Sequence, residues 1–416
     1  MEPTRSNKVL KTAPGAESEE GIALILALFF SFMAMGIVVS GHTLNRASRT
    51  DTDTQFRTSA QATQFARSGL VEGVGWFRRQ TSQPVTQFLP VLDEQAEPAV
   101  FDTDDPSIGL VRDFRISGNL WGRYEIWRPS IGGEGDDEQR AAFRQQFQAE
   151  DTGIQRRTRQ AGTAWRIRSV GYVYELNDPE LDLRERPNRV VATTALEAEL
   201  IRRKLAPPGA AAITLSQGRN LTAGSRTRID GQGGAGVYYP RRTGRPNTRG
   251  STLSGSPRRS QGSSIDISYE FVFGLSYPEL KATADSTVTT EANYPNPVPT
   301  NGLLIIEDSD ARFSPQVPLV GTGIVIVRGN CTIEPGSNSA FNGLLYVDGD
   351  LTVRAPALIN GAVVCSGRVN LLGSGDFVEV TYDSSILEAI QREFGLYRFL
   401  GAFRPVFEQD ARDSMR

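Results

Sequence analysis

The sequence predicts an α+β fold: a long N-terminal helix whose first half crosses a membrane, an antiparallel β-sheet head, and a C-terminal β-helix or solenoid-like domain. Three observations support this class. Residues 22–41 carry no charge, apolar side chains recur with helical spacing over residues 56–77, and glycine pairs recur at near-constant spacing after residue 302. The 416 residues include 41 glycines and 23 prolines, which leaves room for two or three domains and favours turn-rich β structure.

The composition excludes most catalytic arrangements. His42 is the only histidine and lies at the edge of the uncharged run, so a Ser-His-Asp or Cys-His site in a folded domain is not available. The chain is therefore not expected to be an enzyme. Its net charge is -3 and its pI about 5.6, and without overall basicity no nucleic-acid partner is expected.

The uncharged run from Ile22 to Gly41 would span about 30 Å as a helix, which matches the core of a bilayer. A cleaved secretory signal is the rival interpretation, but its apolar region is shorter and follows a basic segment, whereas Glu19 and Glu20 come directly before this run. A membrane helix is therefore predicted for residues 22–41.

A soluble stalk is predicted to continue this helix to about residue 80. One apolar face recurs at steps of three or four residues: Phe56, Ala60, Thr63, Ala66, Leu70, Val74 and Phe77. A separate soluble helix would explain this periodicity nearly as well. The small size of Gly69, Gly73 and Gly75 would let a sheet or a second helix approach closely.

The segments "GIALILALFF" and "QATQFARSGLVEGVGWFR" resemble the N-terminal region of PilX-type minor pilins and of the related GspK-type minor pseudopilins. The resemblance covers about residues 17–80. It implies a prepilin leader, residues 1–21, that the prepilin peptidase cuts after Gly21, so that Ile22 becomes the modified N-terminus of a pilin-like helix, residues 22–80. Leu26 stands at the fifth mature position, where most pilins have Glu, and this departure implies a place at the filament tip.

The function that the resemblance implies is a minor pilin in the priming or tip complex of a type IV pilus, which promotes pilus assembly and presents a tip adhesin. The implied partners are other minor pilins, the major pilin and a large tip adhesin. The expected location is the bacterial inner membrane, spanned once, and then the pilus tip. Two alternatives remain open: a minor pseudopilin of type II secretion, and a membrane-anchored β-helical protein that binds carbohydrate.

Residues 81–205 are predicted to form the antiparallel head, because four segments alternate or are rich in β-branched and aromatic residues: "VRDFRI", "WGRYEIWR", "AWRIRSVGYVYEL" and "RVVATTALEAEL". Two acidic clusters carry oxygen ligands of the kind that Ca²⁺ prefers, Asp102/Asp104/Asp105 and Glu307/Asp308/Asp310. Neither has the EF-hand loop pattern, so solvated loops are expected and no cofactor or metal is assigned.

Residues 206–384 are predicted to form the solenoid. "GIVIVRGNCTI" from Gly323, "GLLYVDGDLTV" from Gly343 and "GAVVCSGRVNL" from Gly361 align with one another, and "AITLSQGRNLTA" from Ala212 resembles the same unit. A β-sandwich of hairpins is the alternative. In the solenoid register, Cys331 aligns with Leu351 and Cys365 aligns with Val347. The two cysteines are then too far apart for a disulfide and are expected as buried free thiols.

Within the predicted solenoid, residues 239–263 are expected to be a flexible basic insertion without an acid, and its arginines form a candidate interaction loop: Arg241, Arg242, Arg245, Arg249, Arg258 and Arg259. A mobile insertion without a partner is the alternative. Residues 385–416 are expected to contain an amphipathic helix with a Ser cap, which closes the end of the solenoid, and a frayed tail.

Overall fold

The computed structural model describes residues 33, 35, 54–132, 135–156 and 159–406. The described chain is mostly β, with a solenoid of about nine turns and few helices, so the predicted α+β class is wrong. Strands dominate because the solenoid coils occupy residues 211–262 as well as 286–382.

Of the predicted continuous helix from residue 22 to residue 80, the structure describes Met33, Met35 and residues 54–79, all of which are helical. We call residues 54–79 α1, and within the described ranges no helix combines the length and the apolar character that a membrane crossing needs. Gly21, Ile22, Leu26 and the rest of the uncharged run, apart from Met33 and Met35, lie outside the described residues.

The head consists of residues 62–79 of α1, a second helix and a seven-stranded sheet. Its elements before the solenoid are β1 (Leu92–Asp93), β2 (Val100–Phe101), β3 (Gly109–Ser117), β4 (Leu120–Trp127), α2 (Glu138–Phe147), β5 (Glu150–Asp151), β6 (Ala164–Glu175) and β7 (Arg189–Arg202). Strands β3, β4, β6 and β7 pair in that order and are antiparallel, and they coincide with the four segments that the sequence indicated. The two-residue strands β1 and β2 pair only with each other.

Residues 62–79 of α1 lie against the head sheet, and the closest contacts occur at glycines, which have no side chain to keep the two apart. A Cβ atom on Gly69 would lie 2.2 Å from the Ser169 hydroxyl oxygen, and one on Gly73 would lie 2.9 Å from the Ile126 side chain. From the sheet side, a Cβ atom on Gly171 would meet the helix backbone at 2.1 Å. The helix therefore packs closely, as the glycines of the sequence indicated, and buries Leu70 and Phe77 completely.

The remaining elements, in chain order, are those of the solenoid and of the C-terminal segment. They are β8 (Ala211–Leu215), β9 (Leu221–Ala223), β10 (Thr227–Asp230), β11 (Ala235–Pro240), β12 (Thr252–Ser254), β13 (Arg259–Gly262), α3 (Tyr269–Phe273), α4 (Tyr277–Ala282), β14 (Ser286–Val288), β15 (Gly302–Ile306), β16 (Asp310–Phe313), β17 (Val320–Val327), β18 (Asn330–Ile333), β19 (Ser339–Val347), β20 (Leu351–Arg354), β21 (Ala357–Cys365), β22 (Val369–Leu372), β23 (Val378–Tyr382), α5 (Ser384–Phe394), β24 (Tyr397–Phe399) and β25 (Arg404–Val406).

The solenoid coils have three faces, and equivalent strands of neighbouring coils pair in parallel. In the coil that contains β19 and β20, residues 339–342 form the first face, residues 344–347 the second and residues 351–354 the third. A glycine separates the first face from the second, and these glycines stand in register in four successive coils: Gly302, Gly323, Gly343 and Gly361.

One coil is built from two distant parts of the chain. Strand β21 pairs with β23 on the first face and with β8 on the second, and β22 pairs with β9 on the third. Strands β23, β8 and β9 therefore make up a composite coil. After β9 the chain forms two further coils on one side of the composite coil, with β10 and β11 in the first and β12 and β13 in the second. It then passes to the opposite end of the solenoid, where β14 lies, and the following coils lead back along the stack to β23.

The strands of the second face are buried on both sides, which explains their unbroken apolar sequence. In "GLLYV", Leu345 and Val347 point into the solenoid core, whereas Leu344 and Tyr346 belong to a second apolar cluster on the outer side. Helices α3, α4 and α5 cover that outer side with Val272, Phe273, Leu280, Leu387, Ile390 and Phe394. The third-face strands have only one buried side, and their residues alternate accordingly.

The sequence analysis expected helix α5 to close the end of the solenoid. In the structure the helix lies along the side of the solenoid instead. It packs beside β15, β19 and β21 because its apolar stripe matches the outer side of the second face. Its N-cap is Asp383, whose side chain accepts hydrogen bonds from the backbone N–H groups of Ser385 and Ile386. Strands β24 and β25, which the sequence analysis missed, then pair with β7 and extend the head sheet.

A buried arginine lies where the head meets the solenoid. Arg203 follows β7 and has no exposed surface; its guanidinium donates to the Phe394 carbonyl oxygen (3.0 Å) and to the Thr283 carbonyl oxygen (2.9 Å). The guanidinium carbon also lies 4.0 Å from the centre of the Phe394 ring. Burial, with some repulsion from Arg398, lowers the pKa of Arg203 to about 9. This one side chain thus joins β7, α4 and α5.

The segment expected as a flexible insertion, residues 239–263, is part of the solenoid. It contains the end of β11, then β12 and β13, and it pairs in parallel with the preceding coil. The polar composition of this segment suggested flexibility. The strands "TLS" and "RSQG" are ordered nevertheless, because their backbone groups form hydrogen bonds with the strands of the neighbouring coil.

The glycine column provides a test of the coil register. Gly361 has φ +126°, and a Cβ atom there would lie 2.2 Å from the Gly343 carbonyl oxygen. We expect Gly361→Ala to lower the free energy of unfolding by about 3 kcal/mol, measured by denaturant titration. Gly224→Ala is the matched control, because a Cβ atom there has its nearest neighbour at 3.7 Å and the change should cost less than about 1 kcal/mol. Equal effects of the two changes would contradict the register.

The cysteines confirm the predicted alignment. Cys331 pairs with Leu351 and Cys365 pairs with Val347, and both thiols are buried and free. Burial raises the pKa of both thiols, that of Cys365 to about 12.

We expect both thiols to resist alkylation at pH 8 in the folded protein, because the reactive thiolate is suppressed and the sulfur atoms are enclosed. Both should react once the chain is unfolded in denaturant, as counted by intact-protein mass spectrometry. Labelling in the folded state, or a mass that shows a disulfide, would disagree with the structure.

Candidate functional site

The sequence analysis proposed two groups of functional residues, and the structure places one of them. Gly21, Ile22 and Leu26 lie outside the described residues. The six arginines of the candidate interaction loop all lie in the coils at one end of the solenoid, which come first in the sequence. All six are exposed: Arg241, Arg242, Arg245, Arg249, Arg258 and Arg259. We call the coils of residues 211–262 the arginine end.

Three further arginines of the arginine end were missed: Arg219, Arg226 and Arg228, which are also exposed. Residues 211–262 contain nine arginines, no lysine and one acid, Asp230, which gives a charge of +8. Residues 286–382, the other coils, contain four arginines and nine acids, which gives -5. Counting charge coil by coil, instead of over the chain, would have revealed this segregation.

The arginines occupy all three corners of the end coils. Arg219 and residues 241–245 share the corner between the second and third faces, where the Arg219 backbone N–H donates to the Thr243 carbonyl oxygen (3.1 Å). Residues 224–226 and 249–250 lie together at the next corner, since a Cβ atom on Gly250 would be 3.5 Å from the Ser225 nitrogen. Arg258 precedes β13 at the third corner.

A cavity of about 310 Å³ opens at the first of these corners, lined by Gln217, Arg219, Arg242, Thr243 and Gly244. The Arg219 Nε atom donates to the Gln217 carboxamide oxygen (3.0 Å), and the Gly218 N–H donates to the Thr243 hydroxyl oxygen (2.7 Å). The Gly218–Thr243 bond holds two neighbouring coils together, and the Arg219–Gln217 bond orients the Arg219 side chain within its own turn.

The arginine end contains almost no compensating acid. Within the described ranges, Arg228 is the only arginine of this end with a carboxylate within 4.0 Å, that of Glu379 at 2.7 Å. The cavity of about 320 Å³ at the junction of head and solenoid is different, because its charges neutralise one another. There Arg156 pairs with Glu279 and with Glu199, and Arg166 pairs with Glu150.

The acidic clusters considered for Ca²⁺ bond to protein donors. Asp104 pairs with Arg112 (2.6 Å) and Asp310 with Arg312 (2.8 Å), while Glu307 accepts from Lys281 and Tyr277. The donors Lys281 and Tyr277 hold the pKa of the Glu307 carboxyl below its usual range. Within the described part of the chain, no three His, Cys, Asp or Glu side chains are placed to hold a metal ion.

The arginine end can therefore attract anions, since exposed cations without nearby acids create a positive potential whose range depends on salt. The comparisons with known proteins assign no role to it. No protein-family model matches the chain, and neither a curated protein nor a solved structure shows significant similarity to it.

Repulsion among these arginines gives a prediction about stability. We expect the triple variant Arg241→Gln, Arg242→Gln, Arg245→Gln to be as stable as the wild type or more stable, by up to about 0.5 kcal/mol, at low ionic strength. The gain should vanish in 0.5 M NaCl, as measured by denaturant titration in both buffers. Arg354→Gln, which removes an exposed cation from the acidic coils, is the control and should not stabilise. A clear loss of stability in the triple variant would contradict the unpaired state of these side chains.

Proposed function

We propose that this chain is a minor subunit of a type IV pilus, processed after Gly21 and displayed with its solenoid outward. The observation that supports this proposal best is the head. An amphipathic helix, residues 62–79, lies in close contact with an antiparallel sheet and follows an uncharged run in the sequence. A subunit of this kind needs an apolar segment for the filament core and a folded head held by the adjoining helix.

The construction of the head fits this role. Gly69 and Gly171 remove side chains on the two sides of the contact between α1 and the sheet, so that the helix is held by close packing over several turns. Trp76, Phe77 and Phe88 continue the contact as a buried aromatic cluster, with ring centres 4.9–5.6 Å apart. Force applied through the helix would reach the head through this packed core.

Leu26 supports a position at the filament tip within this proposal. A buried Glu at that position would need the amino group of a neighbouring subunit as its partner, and an apolar residue has no such need. A subunit at the tip has no neighbour above it. The partners would be other minor pilins, the major pilin and a tip adhesin, and the protein would reside in the inner membrane before assembly.

The test is the processing of the chain in a cell that makes it. We expect the isolated protein to begin at Ile22, as shown by its intact mass and N-terminal sequence. Gly21→Trp should leave the leader attached and keep the protein out of sheared filaments, because a bulky side chain at the scissile bond obstructs the peptidase.

Gly15→Trp is the matched control, since it places the same side chain within the leader but away from the proposed bond. It should be processed normally. A wild-type protein that begins at Met1 or near His42, or normal processing of Gly21→Trp, would refute the proposal.

A further inference from the structure

The cavity at the corner of the arginine end brings together cationic groups from two coils. Arg219 comes from the turn after β8, and Arg242 comes from the equivalent turn after β11, one coil further out. Arg219 and Arg242 both line this cavity, and neither guanidinium has a carboxylate within 4.0 Å among the described residues. Two like charges at one cavity repel each other unless an anion lies between them.

The lining of the cavity supplies further donors. The carboxamide oxygen of Gln217 accepts from Arg219 Nε, so its NH₂ group remains as a donor, and Arg219 keeps its two terminal nitrogens. The Thr243 hydroxyl donates to the Pro240 carbonyl oxygen and accepts from the Gly218 N–H, so it shapes the wall and is not a free donor.

Gly244 lets the outer turn approach Arg219 closely. Its φ is +84°, a conformation that favours glycine, and a Cβ atom there would lie 3.1 Å from the Arg219 Cβ atom. The corner is thus held by backbone and hydroxyl bonds between the coils. The Arg219 side chain is oriented by its bond to Gln217, which reduces the conformational freedom that it loses when an anion binds.

We propose that this cavity is a binding site for a dianionic oxyanion, a phosphate or sulfate group. Two guanidinium charges match a dianion, whereas a single carboxylate would leave one of them uncompensated. Guanidinium groups bind the oxygens of phosphate in pairs and with short charge-assisted bonds. The site depends on the solenoid alone and holds whether or not the chain is a pilus subunit.

The test uses the full chain in an uncharged detergent, titrated calorimetrically with sodium phosphate, sodium sulfate or sodium acetate at constant ionic strength in a chloride buffer. We expect saturable binding of phosphate and sulfate with one site per chain, and binding of acetate at least about tenfold weaker. The double variant Arg219→Gln, Arg242→Gln should bind phosphate and sulfate at least about tenfold more weakly than the wild type.

Arg354→Gln is the matched control, because it removes an arginine that is also exposed but belongs to the acidic coils, and it should bind as the wild type does. Circular dichroism of each variant verifies that the fold is kept. Equal weakening in the double variant and in the control would show a general ionic effect and overturn the proposal. Absence of saturable binding to the wild type, or acetate binding as strong as sulfate binding, would overturn it as well.

Discussion

The composite coil is the constraint on which the rest of the solenoid depends. Strand β21 must pair with β23 on its first face and with β8 on its second, although the whole outward and returning path of the solenoid separates those two strands in the sequence. Strands β10 and β11 of the outer coils pair with β23 and β8 of that coil, and β12 and β13 pair in turn with β10 and β11. Pairing between such distant segments has a high entropic cost of loop closure, which burial of the continuous core must offset.

The sequence revealed the coils wherever stacking requires a particular type of residue, such as glycine at a corner or an apolar side chain in the core. The columns of Gly343 and Gly361, and the alignments of Cys331 and Cys365, follow from parallel pairing at one register, so a repeat in the sequence located them correctly. The coil that contains β12 and β13 was not recognised in the sequence, because its strands bury few apolar residues. Their position is set by backbone pairing to β10 and β11, which leaves no apolar repeat to read.

The fold class failed for a related reason. Helical periodicity over residues 56–77 indicated a helix correctly, but the predicted class gave that helix and the apolar run before it too much weight, whereas strand residues clearly outnumber helical residues in the described chain. The candidate site was predicted in part: a run of arginines was evident from residue 241 to residue 259, but Arg219 lay in a different repeat. The cavity it forms with Arg242 exists only because equivalent turns stack, a relation that requires the correct register of both coils.

Charge segregation changes what the net charge of -3 means. The acidic sum gave no reason to expect a nucleic-acid partner, yet that sum combines an end of +8 with coils of -5 and a remainder of the chain that carries -6. Electrostatic attraction acts over about 8–10 Å in physiological salt, so a ligand at the arginine end experiences the local charge and not the sum. The chain leaves for the head only beside the composite coil, through β7 and α5, and Arg203 fixes that junction by bonds to Phe394 and Thr283. Residues 203–210 connect the head to β8 of the arginine end. Arg219 and Arg242 lie in the turns after β8 and β11, so the proposed anion site can be altered without changing a residue of that connection.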